Sequence, residues 1–494
     1  MNRADVCLIL EGAYPYVSGG VSGWTQALIQ AAPHLRFHLV SIMADNQPRE
    51  VRYALPSNVV GWTDLALDSG FPGRGAKRSD AADIAELGRQ FERLIVNPDA
   101  VDLGSLAAQL RESGLGQSAL LNSRAGWRAM EAANQRLLPN SPILDFFWTW
   151  RVMLRSLITV LGAPAPDAKI YHAISTGYAG LFAARMQHET GRPLLLTEHG
   201  VYTNERRIEL SLADWIFDSG DRGYSIAESK SALRDLWSAL FASLAKLTYQ
   251  SSAQIITLYR GNQTLQAADG AVAAKCRIIP NGVDFEKFSA IKPIARIRRR
   301  PTVALIGRVV PIKDVRMFIL ACAALRRRIP DVEAMIIGPD DEDASYADDC
   351  RDLVRQEDLT DCVRFTGRTD VAALLQQIDV CVLTSVSEAQ PLVLLEAGAA
   401  GIPSVATDVG ACRELIEGAE GDAVVGHGGI VVAVGDSSAT ADAMAILLTD
   451  EPMRRRMGDI MRRRVAESYN KRQIDRIYTA LYESHLQARL VEVA

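Results

Sequence analysis

The stretch VCVLTSVSEAQPLVLLEAGAAGIPSVATD, residues 380–408, predicts a strand, a helix and a second strand. VCVLTS and SVATD are short apolar runs with the length and composition of buried strands. Pro391 suits the first turn of a helix, and the apolar residues that follow it continue that helix. Two strands joined by a helix pair in parallel and bury both faces, so the stretch indicates a doubly wound α/β sheet.

The same alternation of strands and helices occurs twice along the chain and predicts two Rossmann-like domains. The first series contains ADVCLIL, RFHLVSIMA, KIYHAI, RPLLLTEH, AQIITLY and RIIPNG, and the second contains TVALIGR, VEAMIIGP, VRFTG, VCVLTS, SVATD and GIVVAV. Open α/β sheets bind ligands at the carboxyl ends of their strands. We therefore expect the two domains to face each other across a ligand-binding cleft.

Interruptions of this pattern place the domain boundaries. We predict an N-terminal domain over residues 1–290, with a helical insertion at about 79–161, where the strand signals stop. IKPIARIRRRP, residues 291–301, combines two prolines with basic residues and indicates a linker. A C-terminal domain is predicted over residues 291–470. The amphipathic segment 471–494 predicts a helix that packs back on the N-terminal domain.

Length and composition exclude several classes of protein. The chain has 494 residues, of which 48% are hydrophobic and 23% charged, which is typical of a globular protein with two or three domains. A net charge of −5 does not favour nucleic acid as a partner. The seven cysteines form no CxxC pair, which predicts reduced thiols in a cytoplasmic protein. The apolar runs are too short for a transmembrane helix.

Candidate anion-binding residues follow the first strand of each predicted domain. Gly19 and Gly20 lie between a strand and a helix, where the backbone can approach a phosphate, although a tight turn explains them equally well. Arg308 and Lys313 follow TVALIGR, and a guanidinium group with an ammonium group suits a diphosphate. Taken alone, these two cations also fit an exposed surface.

Two carboxylates and one histidine follow other strands. Glu388 is predicted in the loop after VCVLTS, and Glu396 in the first or second turn of the helix that begins near Pro391 and Leu392. The N–H groups at that helix start favour a phosphate, and the two glutamates can accept hydroxyl groups. A helix cap and an exposed charge are the alternative interpretation. His199 ends RPLLLTEH, where it is either a hydrogen-bonding or acid–base group or a structural histidine.

Acidic residues outside these segments support other functions. Asp45, after the second strand, imitates the ribose-binding acid of a dinucleotide site and keeps a dehydrogenase as an alternative. Asp341 and Asp343 resemble a metal–nucleotide motif. We favour an acidic loop before a helix start as the explanation of these two residues.

Taken together, the segments resemble the retaining family four of the GT-B glycosyltransferases. SEAQPLVLLEAGAAGIPSVATDVGACRELI carries the two glutamates of that family at its spacing, followed by its GxPxVATDxG run. IGRVVPIKD resembles the Arg/Lys pair that holds the donor diphosphate, TEHG the active-site histidine, and IIPNGVD the hinge before the second domain. The family commonly reads EGF where this chain reads Glu388-Ala389-Gln390, a departure that bears on the backbone contacts to the donor.

The resemblance implies a UDP-linked sugar donor bound by the C-terminal domain, an acceptor on the side of the N-terminal domain, and transfer with retention of configuration. It implies that Arg308 and Lys313 stabilise the leaving diphosphate and that Glu396 holds the ribose. Glu388 and His199 are the residues that it places against the transferred sugar.

The same resemblance completes the donor site. Arg368, after VRFTG, corresponds to the position near the nucleobase, and Gly19, Gly20, Pro391 and Leu392 join the donor-binding set. No metal or other cofactor is implied, because cationic side chains and helix N–H groups take that role.

The N-terminal half looks like the glycosyltransferases of Pel-type exopolysaccharide synthesis. LEGAYPYVSGGVSGWTQALI, the helical insertion and TEHGVYTNERRIEL carry this likeness. It implies a glycan acceptor, inner-membrane components of the Pel synthase as partners, and a cytoplasmic location with membrane association through those partners. A UDP-sugar epimerase and a non-catalytic subunit that senses nucleotide sugars remain the alternatives.

Overall fold

The structure, a computed structural model, describes residues 3–12, 14–212, 226–292, 294 and 300–492. The chain divides into two compact units. The first comprises Met1–Thr257, Asn262–Ile278 and Tyr478–Ala494, and the second comprises Leu258–Gly261 and Ile279–Ile477. Each unit contains one parallel β-sheet, so the prediction of two Rossmann-like α/β domains is confirmed.

The sheet of the first unit has seven strands. These are β1 (Ala4–Glu11), β2 (Phe37–Met43), β3 (Val59–Ala66), β4 (Ala168–Ala173), β5 (Leu194–Glu198), β6 (Gln254–Thr257) and β7 (Cys276–Ile278). They pair in the order β3-β2-β1-β4-β5-β6-β7. Val6 of β1 pairs with Phe37 of β2 and with Ile170 of β4, so this apolar strand lies in the interior of the sheet. The strand order reverses between β1 and β4, and the ends of these two strands form the topological switch point.

Helices connect these strands and form a separate group between β3 and β4. The helices before β7 are α1 (Gly20–Ala31), α2 (Ala81–Val96), α3 (Leu103–Glu112), α4 (Gln117–Leu121), α5 (Arg124–Leu137), α6 (Ile143–Gly162), α7 (Tyr178–Thr190), α8 (Tyr202–Leu212), α9 (Ile226–Ser251) and α10 (Arg260–Ala268). The segment from α2 to α6 occupies the place of the predicted helical insertion. Phe91 of α2 and Leu157 of α6 belong to the same apolar core as Ile9 of β1, so this segment packs onto the sheet.

The second unit contains a six-stranded parallel sheet. Its strands are β8 (Thr302–Ile306), β9 (Glu333–Ile337), β10 (Val363–Gly367), β11 (Val380–Leu383), β12 (Ser404–Thr407) and β13 (Gly429–Val432), in the order β10-β9-β8-β11-β12-β13. The remaining helices are α11 (Phe285–Ser289), α12 (Val315–Arg326), α13 (Ala344–Gln356), α14 (Val371–Leu375), α15 (Leu392–Ala399), α16 (Cys412–Glu417), α17 (Ser437–Thr449), α18 (Glu451–Ser468) and α19 (Lys471–Glu492). The switch point of this sheet lies between β8 and β11.

The last helix, α19, passes from the second unit into the first at Tyr478. Within the first unit, the hydroxyl group of Tyr482 lies 2.7 Å from Nδ1 of His172. The hydroxyl group of Tyr478 lies 3.3 Å from Oγ1 of Thr197. All four side chains are buried, so the end of the chain is attached to the strands β4 and β5.

The second unit begins before the predicted linker at residues 291–301. The backbone N–H of Val283 donates to the carbonyl of Tyr469, and the N–H of Lys471 donates to the carbonyl of Val283, both at 2.9 Å. These bonds join the segment after β7 to the junction of α18 and α19, in agreement with the start of the second unit at Ile279. Residues 293 and 295–299 of the linker lie outside the described residues.

Candidate functional site

Two loops at the switch point of the second sheet are joined by hydrogen bonds. One loop follows β8 and contains Lys313, and the other follows β11. The Oγ1 atom of Thr384 donates to the backbone carbonyl of Lys313 at 2.9 Å. The N–H of Val386 donates to the carbonyl of Ile312 at 3.0 Å. These bonds fix both loops at the carboxyl ends of neighbouring strands, where open α/β sheets bind ligands.

The structure brings two predicted site residues, Lys313 and Glu388, together in an ion pair. The Nζ atom of Lys313 donates to Oε1 of Glu388, and the hydroxyl group of Ser385 donates to the same oxygen at 2.6 Å. The lysine side chain is 23% exposed and the glutamate side chain 13%. Because the pair is partly open, an anion can reach the ammonium group and compete with the carboxylate for it.

The two predicted arginines lie outside this ion pair. Arg308 is on the loop after β8, where it bonds to Glu342 at 2.5 Å, and its side chain is 52% exposed. Arg368 follows the edge strand β10, is 78% exposed and lies 4.0 Å from Asp341. Adjacent strands are about 4.8 Å apart, and β9 lies between β10 and β8. The backbone of Arg368 is therefore about 10 Å to the side of β8. Arg308 therefore lies on the same loop as Lys313, whereas Arg368 lies at the edge of the sheet.

The helix α15 starts four residues after Glu388, and no described side chain caps it. Pro391 is its N-cap and Leu392, which is partly exposed, its first residue. None of the described side chains bonds to the first N–H groups, and no acidic residue lies in the first turn. These N–H groups and the positive end of the helix dipole suit a phosphate.

The loop before α15 is anchored on both sides where the chain departs from the family pattern. The buried Oε1 atom of Gln390 accepts the backbone N–H of Asn281 at 2.7 Å. The carbonyl of Ala389 accepts the N–H of Ala411 at 2.8 Å. Gly410 has φ +53°, and a Cβ atom there would lie 2.5 Å from the carbonyl oxygen of Ala389. The glycine of the GxPxVATDxG run therefore allows this close approach.

Glu396 lies in the second turn of α15, in surroundings that differ from those of Glu388. Burial raises the pKa of its carboxyl group to about 7, and Lys287 of α11 partly opposes this shift. Among the described residues, none donates a hydrogen bond to the Glu396 carboxylate. A partly buried carboxylate without a donor from the described residues suits the hydroxyl groups of a ligand.

The two predicted glycines form the start of α1 in the first unit. Gly19 is the N-cap, Gly20 is the first helical residue, and no side chain caps this helix. Both are exposed, and a Cβ atom at either position would meet no atom within 4 Å. Packing within the protein therefore does not require glycine at these positions, and the bare helix start leaves room for a ligand.

His199 directly follows β5 and has a neutral ring. Burial lowers the pKa of its imidazole group to about 4. Its Nδ1 and Nε2 atoms are shielded from solvent and have no hydrogen-bond partner among the described residues. The ring meets Trp24 edge-on, with ring centroids 4.6 Å apart. Buried polar groups without partners cost about 1–3 kcal/mol each, so a hydrogen-bonding partner at either nitrogen would stabilise the ring.

Glu198 fixes the backbone that carries His199. Its buried carboxylate accepts hydrogen bonds from the hydroxyl group of Tyr249 at 2.7 Å and from Nε2 of Gln266 at 2.8 Å. It also accepts the N–H of Tyr202 at 3.3 Å, which ties the end of β5 to the start of α8. Glu198 is therefore a positioning residue for the histidine.

The sequence analysis missed a carboxylate at the switch point of the first sheet. Glu11 ends β1, and its Oε2 atom accepts the N–H of Tyr178 at the start of α7 at 2.8 Å. Its Oε1 atom accepts the hydroxyl group of Tyr202 at 2.6 Å and lies 3.7 Å from the guanidinium group of Arg206. An acid that ends an otherwise apolar strand was the available signal in the sequence.

The acidic residues that suggested other functions have local partners. Asp45 accepts the N–H of Gln47 at 3.0 Å and pairs with Arg49 at 2.5 Å. Asp343 is the N-cap of α13 and accepts the N–H of Tyr346 at 3.0 Å. Asp343 therefore has the helix-start role that the sequence analysis favoured.

Three general features complete the description. All seven cysteines are free, and six of them are buried. Within the described part of the chain, no three His, Cys, Asp or Glu side chains are grouped so that they could hold a metal ion. In the same residues, no helix combines the length and the apolar character needed to cross a bilayer.

The site and the fold place the chain in a known structural class. Residues 300–450 match the family described as "Glycosyl transferases group 1". Sucrose-phosphate synthase from Thermosynechococcus elongatus has a similar structure, with a TM-score of 0.58 at 17% identity over 98% of this chain and 100% of that chain. Anabaena HepE, solved in complex with UDP, has a TM-score of 0.57 at 16% identity over 97% and 100%. The fold is GT-B, with two Rossmann-like domains.

The first unit identifies the family within that class. The chain belongs to the family described as "Domain of unknown function (DUF3492)", whose model matches residues 4–274.

Curated relatives are similar over shorter segments. N-acetyl-alpha-D-glucosaminyl L-malate synthase of Bacillus anthracis is 37% identical over 108 residues, or 22% of this chain and 26% of that protein. Phosphatidyl-myo-inositol mannosyltransferase of Mycobacterium leprae is 33% identical over 183 residues, or 36% and 46%. The chain thus spans less than half the length of these two relatives.

Proposed function

We propose that this chain is a glycosyltransferase that moves a hexose or N-acetylhexosamine from a UDP-linked donor to a growing exopolysaccharide. The observation that carries the proposal is the Lys313–Glu388 ion pair beside the uncapped start of α15. This arrangement lies at the switch point of the second sheet, within the residues that match the group 1 glycosyl transferases. Anabaena HepE, a structural neighbour, has been solved with UDP and with UDP-glucose, which supports UDP as the nucleotide.

In the proposed reaction, the bond between the anomeric carbon of the sugar and the diphosphate of the donor breaks, and negative charge develops on the leaving UDP. The anomeric carbon forms a new bond to a hydroxyl oxygen of the acceptor, whose proton passes to the leaving diphosphate. Lys313 and Arg308, together with the N–H groups of α15, stabilise that charge. Glu388 faces the positive charge that develops on the sugar and at the same time holds the lysine in place. The retaining outcome is part of the proposal and rests on the likeness to family four.

The remaining residues are assigned to parts of the donor that do not react. Glu396 accepts the ribose hydroxyl groups, because its carboxylate has no donor from the described protein residues. Arg368 lies beside the nucleobase, and Gly19 and Gly20 allow the backbone to approach the donor. The neutral ring of His199 hydrogen-bonds the transferred sugar and does not supply a positive charge.

The biological setting of the reaction follows the likeness of the N-terminal half to PelF, the glycosyltransferase of Pel exopolysaccharide synthesis. We propose a glycan acceptor, inner-membrane Pel synthase components as partners and a cytoplasmic location. The reaction is proposed to need no metal and no cofactor, since the cationic side chains and the helix start offset the charge of the leaving group.

Calorimetric titration with UDP, UDP-glucose, UDP-N-acetylhexosamines and GDP-sugars tests this proposal. We expect UDP and at least one UDP-sugar to bind, Lys313→Ala to weaken that binding, and Arg327→Ala to leave it unchanged. Arg327 is the matched control because it is an exposed cation at the end of α12, away from the carboxyl ends of the strands. If no nucleotide binds to the folded protein, the proposal is wrong.

Product analysis then separates transfer from the alternatives. A transferase needs a glycan acceptor to form its product, whereas an epimerase converts the UDP-sugar without an acceptor. A sensing subunit binds the nucleotide sugar and leaves it unchanged under both conditions. Either of the last two results contradicts the proposed reaction.

A further inference from the structure

The first unit contains a cavity of about 490 Å³ that none of the predicted site residues lines. It lies between α6, from the helical segment between β3 and β4, and the carboxyl ends of β1, β2 and β3. Val152 and Ser156 contribute from α6, and Glu11, Met43 and Leu67 contribute from the strand ends. Small-molecule sites typically enclose about 300–1,000 Å³, and strand ends are where α/β sheets bind ligands.

Aromatic rings form one side of this cavity. Trp237 and Phe241 of α9 are stacked, with ring centroids 5.7 Å apart and an angle of 25° between their planes. Tyr202 of α8 meets Phe241 edge-on at 5.7 Å. Trp237 is only partly buried, so part of its surface is open to a ligand. The apolar C–H face of a pyranose ring packs on such a surface, while its hydroxyl groups remain free for hydrogen bonds.

Two polar atoms of the lining residues lack partners. The Oδ1 atom of Asp68 and the Nε atom of Arg155 are buried, and neither has a hydrogen bond within the described part of the chain. The Nη2 atom of Arg155 donates to the backbone carbonyl of Asp68, so the two residues are in contact. One orphaned atom is an acceptor and the other a donor. A hydroxyl group can pair with either atom once a side-chain shift opens that atom to the cavity, because each hydroxyl can donate and accept.

The charges around the cavity restrict the ligand further. Three carboxylates, Glu11, Asp68 and Glu209, stand beside two guanidinium groups, Arg155 and Arg206. This balance disfavours a phosphate or a sugar acid. An aliphatic chain would leave the donor and the acceptor unpaired, which is costly in a buried site. An uncharged ligand with several hydroxyl groups and one apolar face fits all of these groups.

We infer that this cavity binds a hexopyranose unit of an uncharged glycan. The bound unit belongs to the acceptor of the transfer reaction, an assignment that rests on the proposed function. The helical segment between β3 and β4 then contributes a wall of the saccharide site through α6, in addition to its packing on the sheet.

Saturation-transfer NMR on the full chain tests the inference. The probes are the methyl glycosides of glucose, galactose, N-acetylglucosamine and N-acetylgalactosamine, each with and without saturating UDP. We expect at least one glycoside to bind the wild-type protein. Trp237→Ala and Asp68→Asn should each weaken that binding at least tenfold.

Two further variants keep the test independent of folding defects. Val152→Trp places a bulky ring at a position that lines the cavity and is 52% exposed, so it should block binding without disturbing the core. Trp148→Ala is the matched control, because Trp148 is an exposed tryptophan of the same helix that does not line the cavity. This control should bind as the wild type does.

Calorimetry with UDP on the same proteins separates this inference from the proposed function. Glycoside binding that disappears in Trp237→Ala and Val152→Trp supports the cavity, whether or not UDP binds. If no glycoside binds the wild type, or if binding survives both variants, the inference is overturned. In that case the proposed function is still decided by the UDP titration alone.

Discussion

The Nζ atom of Lys313 donates a hydrogen bond to Oε1 of Glu388, which joins the loops that follow β8 and β11. The likeness to family four assigns the lysine to the diphosphate and the glutamate to the transferred sugar. In the structure, the two side chains form an ion pair with each other. We therefore expect the two residues to act as a coupled unit, in which the ammonium group is shared between the carboxylate and the ligand.

Glu388→Gln is expected to tighten UDP binding by at most about 1 kcal/mol, because it releases the lysine charge to the diphosphate in a partly exposed site. Lys313→Ala is expected to weaken UDP binding by about 1.5–3 kcal/mol, the range of charge-assisted hydrogen bonds. Calorimetric titration of the wild type, both single variants and the double variant measures the coupling. If the effect of the double variant equals the sum of the two single effects within about 0.5 kcal/mol, the two residues act independently.

The two glutamates are expected to affect different kinetic parameters. Glu396→Gln should weaken binding of the UDP-sugar with a smaller effect on kcat, because the ribose does not react. Glu388→Gln should lower kcat without loss of UDP binding, because the proposed role of its carboxylate is to face the reacting sugar. Steady-state kinetics and UDP titration of both variants provide the comparison. If both variants lose the same UDP affinity, or if neither variant changes, the alternative interpretation is favoured. Glu388 is then a helix cap and Glu396 an exposed charge.

Glu396 is expected to reduce the stability of the protein as the pH rises. Its pKa is about 7 in the folded protein and near the ordinary value of 4.5 in the unfolded chain. Between these values the folded state binds more protons, so the free energy of unfolding falls with increasing pH. Glu396→Gln should raise that free energy by about 3 kcal/mol at pH 8 and by less than about 1 kcal/mol at pH 5.

Urea unfolding at the two pH values measures this effect. Glu467→Gln is the control, because Glu467 is exposed on α18 and its replacement should leave stability unchanged at both values. A stability gain for Glu396→Gln that does not grow with pH would contradict the burial of this carboxyl group.

His199 is expected to support activity at a cost in stability. His199→Leu removes two unpaired ring nitrogens and should raise the free energy of unfolding by about 1–3 kcal/mol. It should also lower turnover about 100-fold through the lost hydrogen bond to the sugar. His172 is the matched control: it is also buried, but Tyr482 and Thr197 hold its two nitrogens at 2.7 and 2.9 Å. His172→Leu should therefore destabilise the protein.

Thermal unfolding across pH gives a second measurement of His199. Its pKa is about 4 in the folded protein and near 6.5 in the unfolded chain, so the unfolded chain binds the proton first as the pH falls. The wild type should lose stability between these values as the pH is lowered. His199→Leu should lose that part of the pH dependence, and an unchanged profile would show that the ring is not buried as described.

Turnover is expected to survive treatment with EDTA. Lys313, Arg308 and the start of α15 can offset the charge of the leaving diphosphate, and Asp343 is engaged as the N-cap of α13. Asp343→Asn preserves a capping side chain and should leave activity unchanged. If chelation abolishes turnover and magnesium or manganese restores it, Asp341 and Asp343 become the candidate ligands.

The sequence predicted those parts of the molecule that are encoded locally. Strand and helix patterns separated by Gly and Pro were enough for two parallel sheets, and the rule that ligands lie at strand ends selected the loops after β8 and β11. The helix start at Pro391 and Leu392 was also readable, because proline suits the first turn.

The sequence could not predict pairings between distant segments or the effects of burial. Lys313 and Glu388 meet only because β8 and β11 are neighbours in the sheet. The bond from Gln390 to Asn281 likewise depends on the folded unit. The role of Glu11 could not be predicted for the same reason, since its partners in α7 and α8 are far away along the chain.

The course of α19 has a consequence for how the protein is made. His172 is a buried residue of the first unit, and among the described residues Tyr482 of α19 is the partner of its Nδ1 atom. A ribosome releases domains from the N-terminus onward, and an independent first domain could fold as soon as it emerged. Here the first unit must wait for its last helix, which is translated after the whole second unit. A nascent chain stalled anywhere before Tyr478 would carry a first unit with an incomplete interior.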